Sequence, residues 1–164
     1  PRYIFDHGLR DLVDWPPGSF TEGGQGERDG HEMRPINTVV NAFHGRALTL
    51  MSRIAGVLGR AGDRSRFAER AEVVKATINR LLFDRERGVY VDGEGSDHAS
   101  LHSNMFMLAF DLVPEGRRGP VMSFCKSRGM ACSVYGAQFL LEALYRNGED
   151  QYALGLFEGL IQYA

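Results

Sequence analysis

Two histidines four residues apart, His98 and His102, open the stretch from Asp97 to Leu112. That spacing puts both imidazoles on one face of a helix. Such a pair can bind zinc, but the metalloprotease form needs Glu directly after the first His. Ala99 stands there, no third ligand is evident, and no metal is expected. Hydroxyl contact and capping of the helix start are the remaining uses. Asp97 or Ser96 reads as the N-cap, and Asn104 reads as structural. Beyond Asn104 the run is apolar, with one charge at Asp111. Surface helices carry polar residues along a whole side; this one confines them to its first turns. It is therefore expected to be buried along its length, with its N-terminal mouth facing something polar. A buried helix opening on a polar cleft is one way to build a sugar site.

Further chemistry-bearing groups lie in loops. The carboxylates of interest are Asp14, Glu27, Asp29 and Asp97. Glu27 and Asp29 flank Arg28, and an adjacent guanidinium keeps a carboxylate ionised. That suits binding of hydroxyls better than proton donation; a solvated charged loop is the plainer reading. Trp15 is the single tryptophan, set between Asp14 and Pro16. Its ring could stack on the apolar face of a pyranose or plug a loop at the rim. Tyr135 and Gln138, three apart near the start of a helix, share a face and could reach the same cleft. Core packing serves equally well for Tyr135. His44, inside a helix, reads as a satisfied inner-layer polar residue. The glycine-rich segment 22–30 lacks the Gly-Lys-Ser/Thr of a phosphate loop.

The elements that must position these groups are mostly helical. The first 35 residues or so are irregular: Pro16-Pro17 forces extended or turn geometry. A loop as long as the one over 22–30 is usually functional or disordered. A first helix is expected from about Ile36 to Leu58, with apolar residues at helical spacing and Gly59 to end it. A second runs from about Asp63, a good N-cap, to Phe83, and is heavily charged. Gly88 to Asp92 reads as a short extended piece. The third helix is the apolar one, stopped by Pro114-Glu115-Gly116. The fourth spans about Arg117–Ser127, the fifth about Ser133–Tyr145, and the sixth starts near Asp150.

Helices one, three and five carry few charges, and long or glycine-rich connections precede them. The connections that follow them are short, which makes antiparallel helical hairpins. Three hairpins, each with an apolar first helix and a wetter second one, predict two layers. The odd helices would be inner and parallel, their N-termini sharing one rim. A solenoid wants a fixed period; the odd helices start near 36, 99 and 133, so a toroid fits better.

Composition bounds the rest. The chain has 164 residues, enough to bury roughly 70% of its unfolded surface. A net charge of -2 and a pI near 6.2 give no nucleic-acid footprint. No apolar run reaches the roughly 20 residues of a membrane helix. The chain starts at Pro1 without a basic-then-apolar leader, reads as a piece of a longer protein, and carries no sign of its compartment. Cys125 and Cys132 form no framework or metal spacing and are expected to be buried thiols.

Four stretches carry a family resemblance: Val13-Asp14-Trp15-Pro16 with Gly26-Glu27-Arg28-Asp29-Gly30; Asn37 to His44; His98 to Phe106; and Gly129 to Gln138. In this order they resemble the catalytic domain of bacterial α-L-rhamnosidases, glycoside hydrolase family 78. The resemblance implies an all-α fold, with residues 1–164 forming three αα-hairpins of an incomplete (α/α)6 toroid. It implies inverting hydrolysis of terminal α-L-rhamnosyl residues, a carbohydrate substrate, no cofactor, and the remainder of the barrel as partner. It also implies that the general acid precedes the region of Asp14-Trp15 and that the general base, a Glu, follows the region of Tyr152 to Ala164. The fragment alone would then be inactive. Its contribution would be substrate binding through Asp14, Trp15, Glu27, Arg28, Asp29, His98, His102, Tyr135 and Gln138. Two other readings stay open: a sugar epimerase using His98 and His102 as acid and base, and a non-catalytic helical scaffold. A half-ring would also expose apolar flanks of the first and fifth helices, favouring self-association.

Overall fold

The computed structural model describes residues 13–14 and 29–161. Among them are α1 (Thr38–Val57), α2 (Ala61–Leu81), β1 (Phe83–Asp84), β2 (Val89–Tyr90), α3 (Leu101–Ala109), α4 (Glu115–Arg128), α5 (Val134–Arg146) and α6 (Asp150–Ile161). Each inner helix begins at a residue suited to satisfy free N–H groups. Asn37 accepts from Val40 N, Ser100 from Ser103 N, and Ser133 from Gly136 N. The outer helices α2 and α4 start without a side-chain cap, at Arg60 and Pro114.

The hairpin pattern holds. α1 packs on α2, α3 on α4, and α5 on α6, while α3 also touches both α1 and α5. The odd helices thus form one continuous inner row with α3 at its centre. All of α3 is buried, as its apolar run predicts. A cluster of four phenylalanines clasps the row. Phe43 of α1 lies 4.9 Å from both Phe106 of α3 and Phe110 just after it, and Phe139 of α5 lies 4.9 Å from Phe106. Such pairs add about 0.5–1.5 kcal/mol each beyond their area burial.

β1 and β2 pair antiparallel, Phe83 with Tyr90 and Asp84 with Val89. The turn between them closes on Gly88, at φ 69°. A Cβ there would come within 2.9 Å of Pro120 Cβ, so glycine also lets α4 approach the ribbon. Asn104 of α3 replaces a third strand: its Oδ1 accepts from Tyr90 N at 2.8 Å, and its Nδ2 donates to Tyr90 O at 3.0 Å.

Several expected boundaries move. α3 is capped by Ser100, not by Ser96 or Asp97, because residues 93–100 run as loop. α3 also ends early, at Ala109, where Asp111 turns the chain at φ 59°. α2 starts before Asp63, which sits in its first turn and pairs with Arg60 and Arg66. α4 is longer than expected at both ends. Cys125 and Cys132 are buried free thiols. Leu50, Ile54, Val57 and Leu58 leave an apolar flank of α1 exposed, and α5 exposes Val134 and Tyr135. No helix of the described residues is long and apolar enough to cross a membrane.

Candidate functional site

The N-termini of the inner helices meet at one rim, and three buried carboxylates hold them there. Helix starts leave N–H groups unpaired and carry partial positive charge, so each is a seat for an anion. Asp92, just after β2, is the most heavily used. Its backbone O accepts from Thr38 N of α1 at 2.9 Å. Its Oδ1 accepts from Ser100 N at 2.9 Å, Ser100 Oγ at 2.6 Å and Ser103 Oγ at 2.7 Å. Its Oδ2 accepts from Glu32 N at 2.9 Å and faces His98 Nδ1 at 2.6 Å. Burial by itself would raise the Asp92 carboxyl. The hydrogen bonds from His31, the Ser100 hydroxyl and the Glu32 N–H outweigh it and hold the group far below the usual carboxylate range.

Asp29 takes the next N–H of α3: its Oδ2 accepts from Leu101 N at 2.7 Å and from Arg128 Nε at 2.8 Å. A second guanidinium nitrogen of Arg128 binds Oδ1, making the pair bidentate. Asp14 does the same for α5. Its Oδ2 accepts from Ser133 N at 3.0 Å and lies 2.7 Å from His102 Nε2, while its Oδ1 accepts from the Ser133 hydroxyl. Gly136 makes room for it: a Cβ there would stand 2.7 Å from Asp14 Oδ2.

The structure places several of the sequence-expected site residues inside the rim rather than on its surface. Asp14, Asp29 and His102 are 2%, 1% and 0% exposed. Their carboxylates and His102 Nε2 are turned to helix starts and buried partners inside the fold. They position the rim. His98 and His102 also part company. His98 precedes the helix, so the four-residue spacing no longer aligns them. His98 keeps a 32% exposed side chain, whereas His102 turns inward to Asp14. No group of three or more His, Cys, Asp or Glu among the described residues could hold a metal ion.

With Nδ1 donating to an ionised Asp92, His98 is left with Nε2 as its free acceptor. Beside it Ser96 Oγ donates to Glu32 Oε2 at 2.8 Å, and Arg34 donates to the same oxygen at 2.7 Å. Arg34 and Ser96 outweigh the small burial effect and lower the Glu32 carboxyl. Tyr135 is exposed, with its ring 5.3 Å from Phe139. Partial burial, then the nearby Asp14 charge, raises its phenol. Gln138 is exposed on the same helix. Asp97 is exposed in the loop before His98. His44 is half-buried, and its imidazole is lowered by burial and then by Arg70. Trp15, Glu27 and Arg28 lie outside the described residues.

The sequence reading passed over Asp92, Glu32, Arg128 and Ser133. One signal was available for Asp92: Ser96, His98, Ser100 and Ser103 are a run of donors in search of an acceptor. A separate groove of about 290 Å³, lined by Phe43, Ala47, Leu50, Phe110 and Phe139, has only Arg46 and Glu142 as charged lining. The convergent polar groups are at the rim.

The sequence profile of the bacterial alpha-L-rhamnosidase 6 hairpin glycosidase domain matches residues 5–159. The chain is also similar in fold to a crystal structure of a family 78 rhamnosidase from Bacillus sp. GL1. The TM-score is 0.76 at 23% identity, over 93% of this chain and 16% of that one. No curated protein matches the sequence. With that match over most of its length, the chain belongs to the bacterial alpha-L-rhamnosidase six-hairpin glycosidase family.

Proposed function

We propose that this chain forms part of the sugar-binding wall of a glycoside hydrolase that removes terminal α-L-rhamnosyl residues with inversion. The observation that carries this reading is His98: an exposed imidazole at the mouth of a fully buried helix, oriented by an ionised carboxylate. Its Nε2 can accept from a sugar hydroxyl. Tyr135 and Gln138 offer further exposed contacts from α5. In the sequence Trp15 directly follows Asp14, and Glu27 and Arg28 directly precede Asp29. In this reading they stack on the sugar and bind its hydroxyls.

Inversion needs an acid and a base about 6.5–9.5 Å apart, with room for a water. Among the rim carboxylates described, Asp14, Asp29 and Asp92 are enclosed within the fold. The principal pair then comes from elsewhere in the longer protein, together with the remainder of the barrel, and residues 1–164 alone are inactive. The chain spans 16% of the length of the rhamnosidase it resembles, which supports that division.

The test uses the full-length protein and an aryl α-L-rhamnoside. His98→Ala should lose about 2–10-fold in kcat/KM, as removal of a neutral hydrogen bond worth about 0.5–1.5 kcal/mol would give. Proton NMR of the first sugar released should show the anomer opposite to the substrate. Unchanged kcat/KM would remove His98 from the site, and a retained anomer would refute single displacement.

A further inference from the structure

Behind the rim, two imidazoles are only half used. His31 Nδ1 lies 3.0 Å from Ser100 Oγ and 3.2 Å from Asp92 Oδ1. His102 Nε2 lies 2.7 Å from Asp14 Oδ2. The other nitrogen of each ring, His31 Nε2 and His102 Nδ1, is buried without a hydrogen-bond partner in the protein. The residues are 4% and 0% exposed, and their ring centroids are 6.4 Å apart at an interplanar angle of 67°. Buried polar atoms in folded proteins rarely stay unpaired.

The proton positions follow from the partners. Ser100 Oγ gives its proton to Asp92 Oδ1. Toward His31 it can only accept, so His31 Nδ1 carries the ring proton. Asp14 likewise accepts, so His102 Nε2 carries its proton. In the neutral rings both unpartnered nitrogens are therefore lone-pair acceptors. They cannot serve each other. A ligand with two donors is required.

The ring spacing is compatible with one shared oxygen. With each nitrogen about 2.8 Å from a shared oxygen, about 1.15 Å from its own ring centre, and a tetrahedral angle at the oxygen, the centroids would stand about 6.4 Å apart. A tetrahedral zinc at about 2.0–2.1 Å from each nitrogen would draw them to about 5.2 Å. We propose that a single buried water bridges His31 Nε2 and His102 Nδ1, donating one proton to each. A buried water commonly makes two to four such bonds. This one closes a hydrogen-bonded line from His98 through Asp92, Ser100 and His31 to His102, Asp14 and Ser133. It ties the rim imidazole to the cap of α5 and fixes both ring tautomers. The site does not depend on which sugar the rim binds.

A crystal structure of the full-length protein, at a resolution that orders solvent, tests this directly. The expected result is one spherical density peak within hydrogen-bond distance of both nitrogens. Nitrogen-15 NMR of the histidine rings should show the Nδ1–H tautomer for His31 and the Nε2–H tautomer for His102. An empty gap, an anomalous metal peak, a protein atom bonded to either nitrogen, or the opposite tautomer at either ring would overturn the proposal.

Discussion

Replacing Asp92 by asparagine removes one charge and one acceptor from the most crowded polar point of the rim. The carboxylate divides its partners: Glu32 N and His98 Nδ1 on one oxygen, Ser100 N, Ser100 Oγ and Ser103 Oγ on the other. The asparagine NH2 meets the smaller conflict on the first side. There it stands against the Glu32 N–H, which cannot become an acceptor. One stranded buried donor costs about 1–3 kcal/mol, and the bonds that remain lose their charge assistance, about 1 kcal/mol each. With three such bonds on the second oxygen the total is about 4–6 kcal/mol. At about 2–4 °C per kcal/mol for a cooperative unit of 150–250 residues, the melting transition that includes this domain should fall by about 10–20 °C at pH 7. The pH dependence has a definite sign. The native Asp92 carboxyl is held below its unfolded value, so its contribution is complete above about pH 5 and fades as pH falls below about 4. Circular-dichroism melts of the full-length protein and of Asp92→Asn, taken from pH 7 to pH 3, give the comparison. The gap between them should narrow toward acid. A loss under about 2 °C at neutral pH, or a gap that widens on acidification, would refute the assignment of Asp92 as the rim's hub.

Gly136→Ala would push a methyl to 2.7 Å from Asp14 Oδ2 and from Cys132 Cβ; a loss of about 1–3 kcal/mol is expected in chemical denaturation. Its control is Gly45→Ala in α1, where the nearest atoms are 3.5 Å away. There the gain in helix propensity should leave stability unchanged or raised by up to about 1 kcal/mol. Cys125 is 1% exposed and its thiol is pushed well up by burial and then by Asp29. Dithionitrobenzoate at pH 8 should leave it unmodified in the native protein and label it in denaturant. The exposed flank of Leu50, Ile54, Val57 and Leu58 should make residues 1–164 self-associate in sedimentation, and Ile54→Lys should reduce this; a stable monomer at high concentration would count against an open half-ring.

The rim explains why so many polar residues sit at the inner helix starts. Packing three helices side by side and parallel brings their positive ends together, which like-charge repulsion opposes. Asp14, Asp29 and Asp92 each place a carboxylate there, and the mouth becomes a hydrogen-bonded ring. Most of that ring is buried. Among the described residues, His98, Glu32, Asp97, Tyr135 and Gln138 reach solvent around that buried base.

How much of this could be read in advance follows the range of the interactions. Apolar spacing, caps and breakers located all six helices among the described residues, because these signals are written within about 20 residues of sequence. Loop lengths and the alternation of apolar and charged helices indicated the hairpins and the inner row for the same local reason. Asp14, Asp29 and the two histidines stood out by type. Their roles did not, since what a carboxylate does depends on partners far along the chain. Asp14 meets Ser133 and His102, Asp29 meets Leu101 and Arg128, and Asp92 meets Glu32. The shift of the α3 cap by about one turn, from Ser96 or Asp97 to Ser100, has the same origin: Asp92 and Asp29 bind the N–H groups of Ser100 and Leu101 and settle where the helix begins. Local pattern determined the elements, their order and their inward faces. Only the tertiary structure decided which polar groups are buried anchors and which face solvent, because burial and hydrogen-bond saturation exist only once distant segments have met.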